Sequence, residues 1–348
     1  MIVHADDFGI TAWQARAILS LSDVCGGRGA LNSVSIFANS PAFEEAARLA
    51  RPFVLAGRAA ERKGDNVASD HAAGGELSSG TAEPDARPGR AEASGGLSIG
   101  LHLNLVEGPC CADPTTIPLL VDERGMFRND FVRLLMMSAG PQRRDLAAQT
   151  KIECEAQIER FLQLFPEMRD GMRIDSHQHV HAIPLVFDAL LAALTARGVR
   201  VERMRLPSEP LGPHRRCGTL ALSGTANRAK ALLLTRLCRR VHARVPDGCA
   251  TPVFCGVVLS GKMSCATPQL ARAFEEEASC LAAARAARDR HPLLPEDAQV
   301  EMLFHPVSVP VEECLDPLNA PFASACASPE RDEEAQTIRR FACEEPAA

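Results

Sequence analysis

The stretch RIDSHQHVHAIP, Arg173–Pro184, carries His177, His179 and His181 at every second position, just after Asp175. The whole chain has only ten histidines, so this concentration asks for a chemical reason. If the stretch is extended, alternation sets all three imidazoles on one face of a strand; on a helix they would scatter around the cylinder. Three unpaired imidazoles on one buried face are costly. A metal ion is the partner that removes the cost.

Three further places put charged or imidazole groups directly after an apolar run: His4-Ala5-Asp6-Asp7-Phe8-Gly9, Gly100-Leu101-His102-Leu103-Asn104 and Phe304-His305-Pro306. Singly, each has a bland reading. An Asp-Asp pair at a strand end more often makes a turn or caps a helix, His102 fits a satisfied buried histidine, and a histidine before proline says little. Together they make a reaction centre. Two imidazoles and a carboxylate form a three-ligand face for a divalent ion, with positions left for water and substrate. A second carboxylate can take a proton from water, and a further histidine can protonate a leaving group. This describes metal-assisted hydrolysis of an amide or ester. An Fe(II) oxygenase could use the same ligand face, but it leaves the second carboxylate unexplained. A phosphoesterase, another amidohydrolase and a non-catalytic metal- or sugar-binding protein stay open.

The elements that must position these groups alternate along the chain. Strand-like runs at Met1–Ala5, Leu31–Phe37, Leu97–Leu105, Met172–His177, Val201–Leu206, Thr251–Val258 and Val300–His305 are separated by helical patterns, among them Thr11–Val24, Phe127–Met137, Asp145–Phe165, Leu185–Arg197, Asn227–Val245 and Pro268–Ala287, with a last helix from about Ser328. About seven strand-then-helix units predict an α/β fold with a parallel sheet, curled into a deformed β/α (TIM-like) barrel that is closed or nearly so. A doubly wound open sheet is the second reading. In a barrel the strand C-terminal ends gather at one mouth, where the four polar clusters would meet. Residues 53–96, rich in Gly, Ala, Ser, Arg and acids with almost no large apolar side chain, are expected to be a disordered insertion, His71 included, within a single domain spanning 1–348.

Composition narrows the classes. With 46% apolar and 24% charged residues and a net charge of −6, the chain has no basic surface for nucleic acid. No apolar run approaches the ~20 residues that span a bilayer, and MIVHADDFGI, without a basic start and a long apolar core, is not expected to act as a secretory signal. The thirteen cysteines are scattered without a CxxC pair, which reads as reduced thiols in a cytoplasmic protein.

ADDFG, GLHLNL, DSHQHVH and EMLFHP, in that order, resemble the motifs of the YdjC-like carbohydrate deacetylases, a family that includes chitooligosaccharide deacetylases and hopanoid-biosynthesis-associated deacetylases. SVSIFANSPAFEEAARLA, RLPSEP, FCGVVLSGKMS and SPERDEEA agree with it. The resemblance covers nearly everything outside the insertion. It implies a carbohydrate N-deacetylase that releases acetate, with Asp7, His102 and His177 holding one divalent ion. Magnesium is the family's metal, while two nitrogen donors also suit zinc or manganese. Asp6 becomes the general base and His305 the general acid. His179, His181, Asn104 and Arg205 are expected to line the pocket or contact substrate, and Asp175 to orient a neighbouring imidazole. His4, where many relatives have asparagine, is expected either to crowd the site or to bind metal itself. Four per cent aromatic residues, with Trp13 alone and no tyrosine, leave few stacking platforms. A small oligosaccharide or a glycolipid headgroup is therefore the expected substrate. The resemblance is also compatible with a homodimer.

Overall fold

A computed structural model describes residues 1–22, 29–55, 96–289 and 298–343. The expected insertion at 53–96 lies outside the described residues except for 53–55 and 96. Seven strands, β1 (Ile2–Phe8), β2 (Ser33–Ile36), β3 (Ser98–Leu103), β4 (Met172–Ser176), β5 (Val201–Met204), β6 (Val253–Cys255) and β7 (Val300–Phe304), form one sheet in the order β5-β4-β3-β2-β1-β7-β6. Every pairing is parallel. The N-terminal strand therefore lies in the middle of the sheet, between β2 and the last strand.

The sheet curls into an open half-barrel, a deformed relative of the TIM barrel. Its edges β5 and β6 approach at one bridge among the described residues, Arg203 to Ala250. There the Ala250 N–H donates to the Glu202 carbonyl at 2.8 Å, and the Ala250 carbonyl accepts from Met204 at 3.0 Å. Closure goes no further along β6. Pro252, just before that strand, has no N–H to offer.

Ten helices are described: α1 (Ala12–Leu19), α2 (43–55), α3 (Phe131–Met137), α4 (Arg143–Leu164), α5 (Pro184–Ala196), α6 (Leu211–Arg216), α7 (Thr225–Val241), α8 (Pro268–Asp289), α9 (Ala320–Cys326) and α10 (Glu330–Cys343). Side-chain caps fix where some begin. Thr11 accepts from the Gln14 N–H at 3.1 Å, and Asp130 accepts from Arg133 at 2.7 Å. The latter starts α3 at Phe131 rather than at the expected Phe127.

Strand alternation divides the sheet chemically. Val3, Ala5, Val34, Ile36, Ile99, Leu101, Ile174, Met302 and Phe304 join the main apolar core. The alternate positions, His4, Asp6, Ser33, Ser35, His102, Asp175, Arg203 and Glu301, form a polar interior. Within it, Arg203 Nη2 reaches Ser33 Oγ at 2.9 Å and Ser98 Oγ at 3.2 Å. The inside of this half-barrel is thus filled by an ion-pair network rather than by the stacked aliphatic layers usual in barrels.

Candidate active site

Asp6 and Asp7 are neighbours in β1, and a regular strand would send them to opposite faces. A bulge prevents that: the register of β1 against β2 shifts between Ala5 and Phe8, and Asp7 adopts a left-handed φ of 59°. Such backbone costs roughly 1–3 kcal/mol and persists only where its surroundings enforce it. Gln14 of α1 does so. Its Nε2 donates to the Asp7 carbonyl at 2.8 Å, and its Oε1 accepts from the Gly9 and Ile10 N–H groups, each at 3.2 Å. Gly9, at φ 88°, could carry no Cβ without pressing Ala46 Cβ at 3.1 Å and Ile36 Cγ1 at 3.2 Å.

Asp7 Oδ1 lies 3.1 Å from His177 Nδ1 and 3.5 Å from His102 Nε2, and one ligand-type atom from each of the three residues lies within 4.8 Å of the others. His102 Nδ1 faces Asp175 Oδ1 at 2.5 Å, which leaves its Nε2 aimed toward Asp7. His102 Nε2 and His177 Nε2 are buried and have no hydrogen-bond partner. Orphaned imidazole nitrogens beside a buried carboxylate fit a divalent cation. Burial opposes a charge on His102, but Asp6 and Asp175 outweigh it and raise the imidazole to about 10. A positive charge is thus favoured at this point whether a proton or a metal supplies it. Other groupings of ligand-type residues, Asp6–His102–Asp175, His4–Asp175–Glu301 and Glu209–His214–Cys255, are largely used by internal bonds. In the last, Glu209 accepts from His214 Nε2 at 2.8 Å and from the N–H groups of Gly256, Val257 and Val258.

The other oxygen of Asp7 belongs to Arg331 of α10, whose Nη2 donates to Oδ2 at 2.6 Å while its Nε is held by the Ala325 carbonyl at 3.0 Å. Burial works against an ionised Asp7, but Arg331 and then His177 hold its carboxyl well below the usual range. Sequence reading missed this arginine. SPERDEEA contributes to the family resemblance, yet nothing in its spacing announces a contact with β1.

Asp6 is clamped from behind. Arg205 Nη1 and Nη2 donate to its two oxygens at 2.8 Å each, Arg205 Nε reaches Glu301 at 2.6 Å, and Nη2 lies 3.2 Å from Asp175. Burial opposes ionisation of Asp6 as well, and Arg205 and His102 override it, so the carboxylate stays charged far below neutral pH. His4 joins the same network. Its Nδ1 meets Ser33 Oγ at 2.8 Å, and its Nε2 lies 3.0 Å from Asp6 and 3.2 Å from Asp175. Burial disfavours its charge, yet Glu301, Asp175 and Asp6 raise its pKa. It backs the acids rather than crowding the cavity.

A cavity of about 330 Å³ opens over these groups, lined among others by Asp6, Asp7, His177, His179, Lys230 and His305. Burial pushes His305 down to about 4, so its imidazole is neutral in the resting protein. The remaining expected pocket residues point elsewhere. Arg205 is buried among carboxylates. Asn104 is buried in its own turn, its Oδ1 accepting from Val106 and Glu107 and its Nδ2 donating to the Glu107 carbonyl at 2.7 Å. His181 lies between Ser176 Oγ at 2.5 Å and the Arg205 carbonyl at 2.6 Å.

The expectation of three histidines on one strand face is corrected for the same reason. β4 ends at Ser176, and Gln178 and His179 turn left-handed, at φ 51° and 63°. Each imidazole then takes its own direction: His177 to Asp7, His179 to the cavity, His181 back into the fold.

A carbohydrate deacetylase of Geobacillus stearothermophilus is 31% identical over 62% of this chain and 62% of its own length. A carbohydrate deacetylase of Mus musculus is 29% identical over 60% of this chain and 51% of its length, and a chitooligosaccharide deacetylase of Escherichia fergusonii 25% identical over 58% and 59%. The chain thus spans between half and about three fifths of the length of these three relatives. A crystal structure from Enterococcus faecalis, named for cellobiose-phosphate cleavage, superposes with a TM-score of 0.53 at 17% identity, covering 98% of this chain and 92% of that one. At that identity the likeness shows the fold. The profile of the YdjC-like proteins matches residues 1–57 and 77–340, and the chain belongs to that family.

Proposed function

We propose that this protein is a metal-dependent hydrolase that removes the acetyl group from an N-acetylated sugar, an oligosaccharide or a glycolipid headgroup, and releases acetate. The observation that carries the reading is the meeting of Asp7, His102 and His177, with unpartnered ring nitrogens, beside a second carboxylate locked in its ionised form. The activities named for the relatives agree with it. A divalent ion held by Asp7, His102 and His177 would supply Lewis acidity toward the amide carbonyl and make water a better nucleophile. Family resemblance favours magnesium; the two nitrogen donors favour zinc or manganese.

The residues around it divide the proton work. Asp6, kept charged by Arg205, accepts the proton that the attacking water gives up. His305 donates to the amine nitrogen as the C–N bond breaks. Because burial keeps His305 neutral at rest, the proton it donates is one acquired within the site during the reaction. Asp175 holds His102 in the tautomer that leaves Nε2 free. The small cavity fits a sugar or two better than a polymer chain.

The test is acetate release from a panel of N-acetylated sugars, using metal-stripped protein re-supplied with single metals. Release that requires a metal establishes the reaction. No release with any sugar and any metal, in protein that still binds metal, refutes it.

A further inference from the structure

Lys230 is the cation of this cavity that has no counter-charge. No lining carboxylate forms an ion pair with it: Asp6 is held by Arg205 and Asp7 by Arg331, while Glu334 accepts from the His305 N–H at 2.6 Å and Glu330 from the Ser328 hydroxyl. Of the two non-imidazole cations in the wall, Arg331 is spent on Asp7. Lys230, on α7, makes no hydrogen bond or ion pair with any described residue. Burial alone lowers its pKa, with no charged neighbour contributing. One turn earlier, Asn227 Nδ2 donates to the Ser260 carbonyl at 2.9 Å and ties α7 to the loop that edges the cavity, so the lysine is carried on a fixed support. Within electrostatic reach stands His179, whose Nδ1 is buried without a partner. One wall therefore holds an unpaired ammonium and an unpaired imidazole nitrogen, both set into the substrate cavity.

Lys230 is half-buried at the cavity wall, and an ammonium so placed without a partner is best matched by an anion brought into the site. We propose that Lys230 is the counter-ion for a carboxylate carried by the substrate sugar, so that this site selects an acidic N-acetylated sugar over a neutral one. The inference rests on the deacetylase reading for the ligand being a sugar. A carboxylate fits better than a phosphate because one ammonium balances one negative charge. A phosphate monoester brings nearly two and is ordinarily met by an arginine fork or several cations, and Arg331 is already engaged.

The test compares three matched sugars: a neutral N-acetylated disaccharide, the same sugar bearing one carboxylate, and the same sugar bearing a phosphate monoester. Binding to the full-length, metal-loaded protein is measured by calorimetry, and acetate release is followed separately. A charge-assisted hydrogen bond at this cavity wall predicts a roughly 10–100-fold tighter binding of the carboxylate sugar than of the neutral one. In turnover the same advantage should appear in KM rather than kcat. Lys230→Gln and Lys230→Met should bring the ratio near one, whereas Lys230→Arg should keep most of it. Equal binding of the neutral and carboxylate sugars, or a preference that survives both neutral substitutions, overturns the proposal. A phosphate sugar preferred over the carboxylate overturns the choice of carboxylate. If no sugar releases acetate but the Lys230-dependent preference remains, the deacetylase reading fails and this one stands. If acetate is released from neutral and acidic sugars alike without dependence on Lys230, the reverse holds.

Discussion

Asp6 and Asp7 are chemically identical and adjacent, yet their environments give them separate tasks. Asp6 has both oxygens taken by one guanidinium, whereas Asp7 gives one oxygen to Arg331 and turns the other toward two imidazoles. Asp6→Asn should therefore lower kcat by roughly 10²–10⁴ while leaving metal affinity near that of the wild type. Asp7→Ala should lose both, as read by acetate release and by metal titration of the same preparations. His181 makes a different kind of prediction. A carbonyl can only accept, so Nε2 carries the proton toward Arg205 O and Nδ1 accepts from Ser176. Burial holds this imidazole down at about 4 against an ordinary 6.5. Between those values the unfolded chain binds more protons than the folded one. The contribution is thus complete above about pH 6.5 and is lost as pH falls toward 4, on the order of 2 kcal/mol by pH 5. Urea unfolding at pH 7 and pH 5 should show that loss in the wild type and a smaller one in His181→Gln.

At the scale of elements, the turn after β1 is the most constrained stretch of the site. Gly9→Ala should destabilise the protein by more than about 1 kcal/mol, through its positive φ and the nearby Ala46 and Ile36, and thermal unfolding would measure it. This is also where sequence reading succeeds and where it stops. Seven strands and most of the helices are legible because apolar alternation and helical spacing are local properties, and the strand-end acids and histidines follow from them. The bulge that lets Asp6 and Asp7 face the same site is not legible, since it depends on a register against β2 and on Gln14 reaching back. Nor is the left-handed turn at Gln178 and His179, where every-second-residue spacing imitates a strand. Arg205, Arg331 and Lys230 show a third limit. Their chemistry depends on which carboxylates the fold brings to them, and an arginine clamped on Asp6 looks, in a sequence, like one free to meet substrate.

The molecule as a whole is organised around buried charge. The interior of the half-barrel holds an alternation of cations and anions from strands distant in sequence, and each ion relies on its neighbours for solvation that water no longer gives. Arg331→Met should leave Asp7 buried with one fewer partner, which costs about 3–5 kcal/mol in the metal-free protein. Added metal should recover part of that loss, because a ligand bound only by the folded state raises its stability. Unfolding with chelator and with zinc would separate the two. An unchanged stability in chelator would mean that Arg331 does not hold Asp7.

The Arg331–Asp7 pair also spans 324 positions of sequence, and β1 takes one of its two neighbours, β7, from residues 300–304. A ribosome making this chain delivers Asp7 long before Arg331. Until β7 emerges, the strand that ends in the middle of the sheet has an open side. Until α10 follows, Asp7 lacks the guanidinium that shares its charge. Asp6 can meet Arg205 well before that, but the reaction centre can be assembled in full only once translation has passed Arg331.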